Sequence, residues 1–92
     1  MEENMSNRYW TYVILLKNDK KYVGHTNNLN RRLAEHQTGL SPYTRKFGFK
    51  RLLYSKQFDS RMAAIRHEKF LKSGQGRKWL KYHLAEQSAS GG

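Results

Sequence analysis

One stretch of this chain runs eight residues without a charge and almost without a polar group. Tyr9 to Leu16 (YWTYVILL) sets aromatic and β-branched residues side by side, and Lys17-Asn18-Asp19-Lys20 closes it. Eight residues suit a β-strand. They fall far short of the roughly 20 that a membrane-spanning helix needs. Lys21 to Thr26 (KYVGHT) reads as a returning strand. Two strands joined by a tight turn are antiparallel, so the chain is expected to open its fold with a hairpin.

The remaining pattern supplies cover for that hairpin. Asn27 is the expected N-cap of a helix, Leu29, Leu33 and His36 follow at helical spacing, and Gly39 sits where a helix stops. Leu40 to Lys50 holds the chain's only proline and reads as a loop. Arg51 to Phe58 reads as a third strand. Asp59 or Ser60 caps a helix to about Lys72, Ser73-Gly74-Gln75-Gly76 breaks it, and Arg77 to about Glu86 forms a last short helix with Trp79, Leu80 and Leu84 on its apolar side. The order is β-β-α-β-α-α. It describes an α+β fold, a three-stranded antiparallel sheet flanked by helices. One domain is expected over residues 9–86, between a flexible arm (1–8) and a flexible tail (87–92) of small and polar residues.

Charge narrows the partners. The 92 residues carry a net charge of +11. Between Lys17 and Lys81 there are 17 Lys and Arg against four acids, a local excess of +13. Such an excess suits a polyanion, and nucleic acid first. If about five phosphates are neutralised, log K should fall with log salt at a slope of roughly −4 to −5. The absence of cysteine excludes a disulfide framework, a thiolate zinc site and a Cys nucleophile together. No charged-then-apolar leader opens the chain, so a cytoplasmic location is expected, with association to the nucleoid as an option.

Helical geometry sorts the side chains further. In the first helix Arg32 and His36 lie within about 60° of Leu29 and one turn apart. Arg31 points to the opposite side, where it can pair with Glu35. In the later helix Glu68 falls inside the apolar stripe of Met62, Ala64, Ile65 and Leu71. An inward carboxylate needs a cation, a metal ion or a wet cleft, because leaving it bare costs several kcal/mol. The plainer alternative is a surface Glu68 paired with Lys72. Tyr12 and Tyr22 share a face of the hairpin only if its loop has an odd number of residues. With Asn18-Asp19-Lys20 as the loop, Tyr12 lies near Thr26 and Tyr22 near Leu16.

Trp10-Thr11-Tyr12, then Tyr22-Val23-Gly24, then Thr26 to His36, resembles the GIY-YIG nuclease domain, and in particular its small stand-alone bacterial members. The similarity continues through Phe58 to the run Glu68 to Arg77, and spans about residues 9 to 82. Trp10 and Thr11 replace the Gly and Ile of the first motif. The resemblance implies a three-stranded antiparallel sheet between helices. It implies a catalytic role for Tyr12, Tyr22, Arg32 and His36, a metal-binding role for Glu68, and places for Gly24 and His25 beside the substrate. The polar residue that some members carry beyond the glutamate has no evident counterpart.

The chemistry implied is hydrolysis of DNA phosphodiesters by a divalent-metal-dependent endonuclease, structure-selective and serving repair or recombination. One carboxylate suits a single Mg²⁺ or Mn²⁺ that keeps several waters and leans on substrate phosphate. Arg32 would grip the phosphate through its fork. Tyr12 would orient or deprotonate the water with help from His36, and Tyr22 would position water or phosphate. Set against this, tyrosines on a hairpin are commonly core residues. Arg45, Lys46, Lys50 and Arg51, interleaved with Tyr43, Phe47 and Phe49, can track DNA phosphates while the rings stack on bases. Equally, the segment can be a solvated loop whose Phe47 and Phe49 cap the core. His67 and His83 read as surface residues, and Trp79 and Phe70 as contacts between the last two helices. DNA is the expected partner, with a partner protein supplying specificity that so small a surface lacks. The competing reading is a nucleic-acid-binding module that cuts little alone.

Overall fold

The apolar run forms β1 (Tyr9–Leu16), and it is buried on both faces. A strand with no polar face belongs in the middle of a sheet with cover above and below. That is where it lies. β2 (Lys21–Thr26) pairs on one side and β3 (Phe49–Phe58) on the other, both antiparallel. The computed structural model describes residues 8–91. Residues 1–7 of the expected arm and the final Gly92 lie outside it.

The two faces of β1 build two cores. Tyr12, Ile14 and Leu16 turn to one side and meet Leu29 and Leu33 of α1 (Leu29–Thr38), with Phe47 and Phe49. Val13 turns to the other side and meets Leu71 of α3 (Arg61–Lys72) and Leu80 of α4 (Gly74–Gly91). Thr11, fully buried, donates its hydroxyl to the Ala64 carbonyl at 2.7 Å and ties β1 to α3. The sheet is thus held between helices, as the hydrophobic pattern and the resemblance both imply.

Several details differ from expectation. The hairpin loop is Lys17-Asn18-Asp19, one residue earlier, with Asp19 at φ 69° and bonds Asp19 N–Leu16 O (2.9 Å) and Leu16 N–Lys20 O (2.8 Å). This is a type I turn closed by a left-handed residue, a common three-residue hairpin. Tyr12 therefore faces Gly24 and Ile14 faces Tyr22, a register two positions from the expected one. The parity is unchanged, so both tyrosines still share a face. Asn28, not Asn27, caps α1, accepting from Arg31 N at 3.0 Å. The expected loop contains a short helix, α2 (Pro42–Phe47), because proline at the first turn lacks only an N–H that would be unpaired anyway. β3 starts at Phe49, and bulges opposite β1 fall between Val13 and Ile14 and between Leu15 and Leu16. Ser60 caps α3. Met62 is exposed, off the apolar stripe. α4 starts at Gly74 and runs past Glu86 to Gly91.

Candidate active site

β2 is an edge strand, and a cleft wraps over that edge. Residues from both sides of the sheet meet there. Tyr12 and Tyr22 come from the α1 side, Arg32 from α1, His25 from the opposite face of β2, and Glu68 from α3. Gly24 makes the meeting possible. A Cβ built on Gly24 would stand 2.8 Å from the Tyr12 hydroxyl, so any side chain there would push the phenol aside.

Tyr12 anchors a hydrogen-bonded chain. Its hydroxyl lies 2.9 Å from His36 Nε2. On the far side, His36 Nδ1 is 3.3 Å from Thr44 Oγ1, and Thr44 gives its own hydroxyl proton to the Ser41 carbonyl (3.3 Å). With that proton on Ser41, Thr44 accepts from His36, an assignment that places the imidazole proton on Nδ1 and leaves Nε2 a bare acceptor. Tyr12 donates to it. His36 is almost fully buried, and that burial, with Arg32 nearby, lowers its pKa against a small opposing effect of Glu35. Burial pushes the Tyr12 phenol up to about 12, although the Arg32 hydrogen bond works the other way. Tyr12 is thus a neutral donor and His36 a neutral acceptor at ordinary pH.

Arg32 donates from Nε to the Tyr12 hydroxyl at 3.4 Å and from Nη1 to Glu35 at 2.8 Å. Burial opposes its charge, but these two bonds outweigh burial and hold the guanidinium protonated. Arg31 also reaches Glu35, at 3.5 Å as expected, yet it lines the cleft instead of pointing away. The cleft curls around the first turn of α1, so its rim takes in both arginines and Asn27.

Glu68 faces inward, as the first reading has it, and also takes the Lys72 partner of the second. Its side chain is only 16% exposed. One oxygen lies 2.5 Å from His25 Nδ1 and the other 2.7 Å from Lys72 Nζ. Burial opposes ionisation, but the bonds from Lys72 and His25 outweigh it and hold the carboxyl below the usual range. Among the described residues no group of three or more His, Cys, Asp or Glu comes together. A divalent ion here would rest on one carboxylate. A wet polar cleft beside an ionised Glu68, whose exposed Lys72 partner can swing away, fits the loosely held, water-rich shell of Mg²⁺.

Five expected catalytic residues and His25 therefore converge, His36 from beneath. Arg45, Lys46, Lys50 and Arg51 do not line the cleft. Lys50 meets Asp19 at the hairpin turn (3.3 Å), Arg51 stands opposite Leu15, and Lys46 lies over the Phe47 ring at 5.3 Å. Phe47 and Phe49 cap the core. Phe70 and Trp79 meet between α3 and α4. His67 and His83, expected at the surface, join the same aromatic group, with His67 bonded to Tyr54 at 2.9 Å and His83 stacked on Trp79. Thr44 had no sequence signal at all, because nothing in its neighbourhood points eight residues back to His36. Arg61 and Tyr9 at the cleft rim were likewise not singled out.

This fold with this cleft defines a nuclease-type α+β domain. The chain belongs to the GIY-YIG catalytic domain family, whose pattern it matches over residues 8–83. It is 36% identical over 70 residues to a UPF0213 protein of Natronomonas pharaonis, covering 75% of this chain and 82% of that one. It is 35% identical over 82 residues to a UPF0213 protein of Limosilactobacillus reuteri, covering 86% and 85%. The solution NMR structure of the UPF0213 protein of Bacillus halodurans superposes with a TM-score of 0.51 at 30% identity, over 82% of this chain and 83% of that one. Among the described residues, no helix is long and apolar enough to cross a membrane.

Proposed function

We propose that the chain is a divalent-metal-dependent endonuclease that hydrolyses DNA phosphodiester bonds. The observation that carries this reading is the Tyr12 hydroxyl donating to a neutral, buried His36 in a cleft also lined by Arg32 and Glu68. Attack by water needs a route for its proton. Tyr12 takes that proton as it passes its own to His36 Nε2, so neither group needs an unusual charge beforehand. Arg32, already protonated and aimed at the Tyr12 hydroxyl, holds the non-bridging phosphoryl oxygens as the P–O bond breaks. Tyr22 positions water or phosphate. Glu68 would hold a single Mg²⁺ or Mn²⁺, which when bound supplies positive charge against the phosphoryl and leaving oxygens. A surface this small reads little sequence, which supports selection by DNA structure or by a partner protein; service in repair or recombination is what the family resemblance implies.

One observation favours the binding-module alternative. Both Glu68 oxygens already have partners, so an ion must compete with the charge of Lys72 and the hydrogen bond of His25. Cleavage of branched, flapped and plain DNA in Mg²⁺ or Mn²⁺ separates the two. Wild type is expected to cut, and Glu68→Ala, Arg32→Ala and Tyr12→Phe each to lose at least ~100-fold in rate. Equal rates for wild type and Glu68→Ala would sink the site assignment. Tight binding without cleavage of any substrate would leave the binding module.

A further inference from the structure

The edge of β2 borders a second concavity beyond Tyr22, of about 770 Å³ against about 560 Å³ for the cleft. The two adjoin at Tyr22. Tyr22 lines both, and the Glu68–Lys72 ion pair joins them, Glu68 in the cleft and Lys72 in the groove. The groove has a floor of Val23, Leu71 and Leu80. Its wall is aromatic, with Tyr43 half exposed and its ring 4.9 Å from that of Tyr22. Four cations edge it: Lys21, Lys72, Arg77 and Lys81. No acid lines it. Lys21, Arg77 and Lys81 are exposed and make no ion pair among the described residues.

We propose that this groove holds an unpaired DNA strand as it leaves the cleft. The proposal rests on the nuclease reading of the cleft and adds a substrate class to it. A duplex turns only phosphates and groove edges outward, and it would leave the aromatic wall of Tyr22 and half-exposed Tyr43 uncovered. A single strand presents phosphates to cations and base faces to rings at once. The proposal adds a second set of phosphate-tracking cations to those of the 45–51 segment. The four cations of the 45–51 segment lie outside the cleft, whereas the four groove cations, scattered over the sequence, are gathered beside it by the fold.

Anisotropy titrations of the full chain in EDTA, with a blunt duplex, the same duplex carrying a single-stranded tail, and the tail alone, test this. Lys21→Gln/Arg77→Gln/Lys81→Gln changes only exposed side chains and spares Lys72, which holds Glu68. Unchanged circular dichroism and Tm would show that its fold is intact. Wild type is expected to prefer tailed over blunt DNA. The triple variant should lose ~10-fold or more on tailed and single-stranded DNA, with a salt slope shallower by about 2. Tyr43→Ala should lose at least ~5-fold on the same two DNAs. A triple variant within twofold of wild type on tailed DNA, or one that loses equally on blunt and tailed DNA, overturns the proposal. Cleavage assays keep the two readings apart. If tailed DNA binds through the groove but nothing is cut, the groove stands and the nuclease reading falls. If wild type cuts while the triple variant binds tailed DNA normally, the reverse holds. Wild type that binds no DNA removes both.

Discussion

Thr44 decides which way the Tyr12–His36 hydrogen bond points. Its hydroxyl proton is committed to Ser41, so the imidazole must donate from Nδ1 and accept at Nε2. Thr44→Val removes the acceptor and strands a buried N–H, at a cost of about 1–3 kcal/mol of stability. Chemical denaturation would measure that loss, and a loss indistinguishable from zero would refute the tautomer assignment. His36 itself makes a pH prediction. Burial and Arg32 lower its pKa in the fold below the ordinary 6.5. Between the folded and unfolded values the unfolded chain binds the proton and the native one does not, so stability is lost as pH falls below about 6.5. Tm should fall more for wild type than for His36→Gln between about pH 7.5 and pH 5. His67 is shifted the same way but is common to both proteins, so the difference isolates His36.

Among the elements, the junction of α3 and α4 is the tightest. A Cβ on Gly76 would stand 1.7 Å from the Phe70 carbonyl oxygen, which is backbone and cannot turn aside. Gly76→Ala must pry the two helices apart, and through Leu71 and Leu80 it loosens the core under Val13. The expected cost is about 3 kcal/mol or more, the upper range of overpacking, read as a drop in the urea midpoint. By sequence alone Ser73–Gly76 is a plain helix break. It is better described as a helix start pressed against the preceding helix end, a close approach that Gly76 alone permits. α2 escaped the same reading because Pro42 signals a loop and a first helical turn equally well.

For the whole molecule, charge and shape act together. The excess of +13 between Lys17 and Lys81 is a sum, and the fold divides it. Some cations are spent on Asp19, Glu35 and Glu68, while Lys21, Arg77 and Lys81 remain along the β2 edge next to the cleft. If about five phosphates are neutralised, DNA affinity should fall several-hundredfold between about 50 and 200 mM salt. A salt-insensitive affinity would argue for a partner other than a polyanion. The concavities share the β2 edge of the sheet, where Tyr22 lines both.

Apart from α2, the order of elements was legible in the chain because each rests on local chemistry: a charge-free run for β1, a cap expected at Asn27 and found one residue on at Asn28, Ser60 as one of two candidate caps, and a stop at Gly39. Tyr12, Tyr22, Arg32, His36 and Glu68 were legible because their spacing along hairpin and helix resembles a known pattern. Parity alone put the two tyrosines on one face. Other features depended on contacts between residues far apart in sequence, which local spacing does not encode. The hairpin register was set by where Asp19 could take a left-handed turn. The partners of Glu68 were set by α3 lying against the back of β2. Thr44 entered through a helix that the proline disguised. The cations that edge the second groove come from β2, α3 and α4, and only packing of those elements on one sheet brings them together.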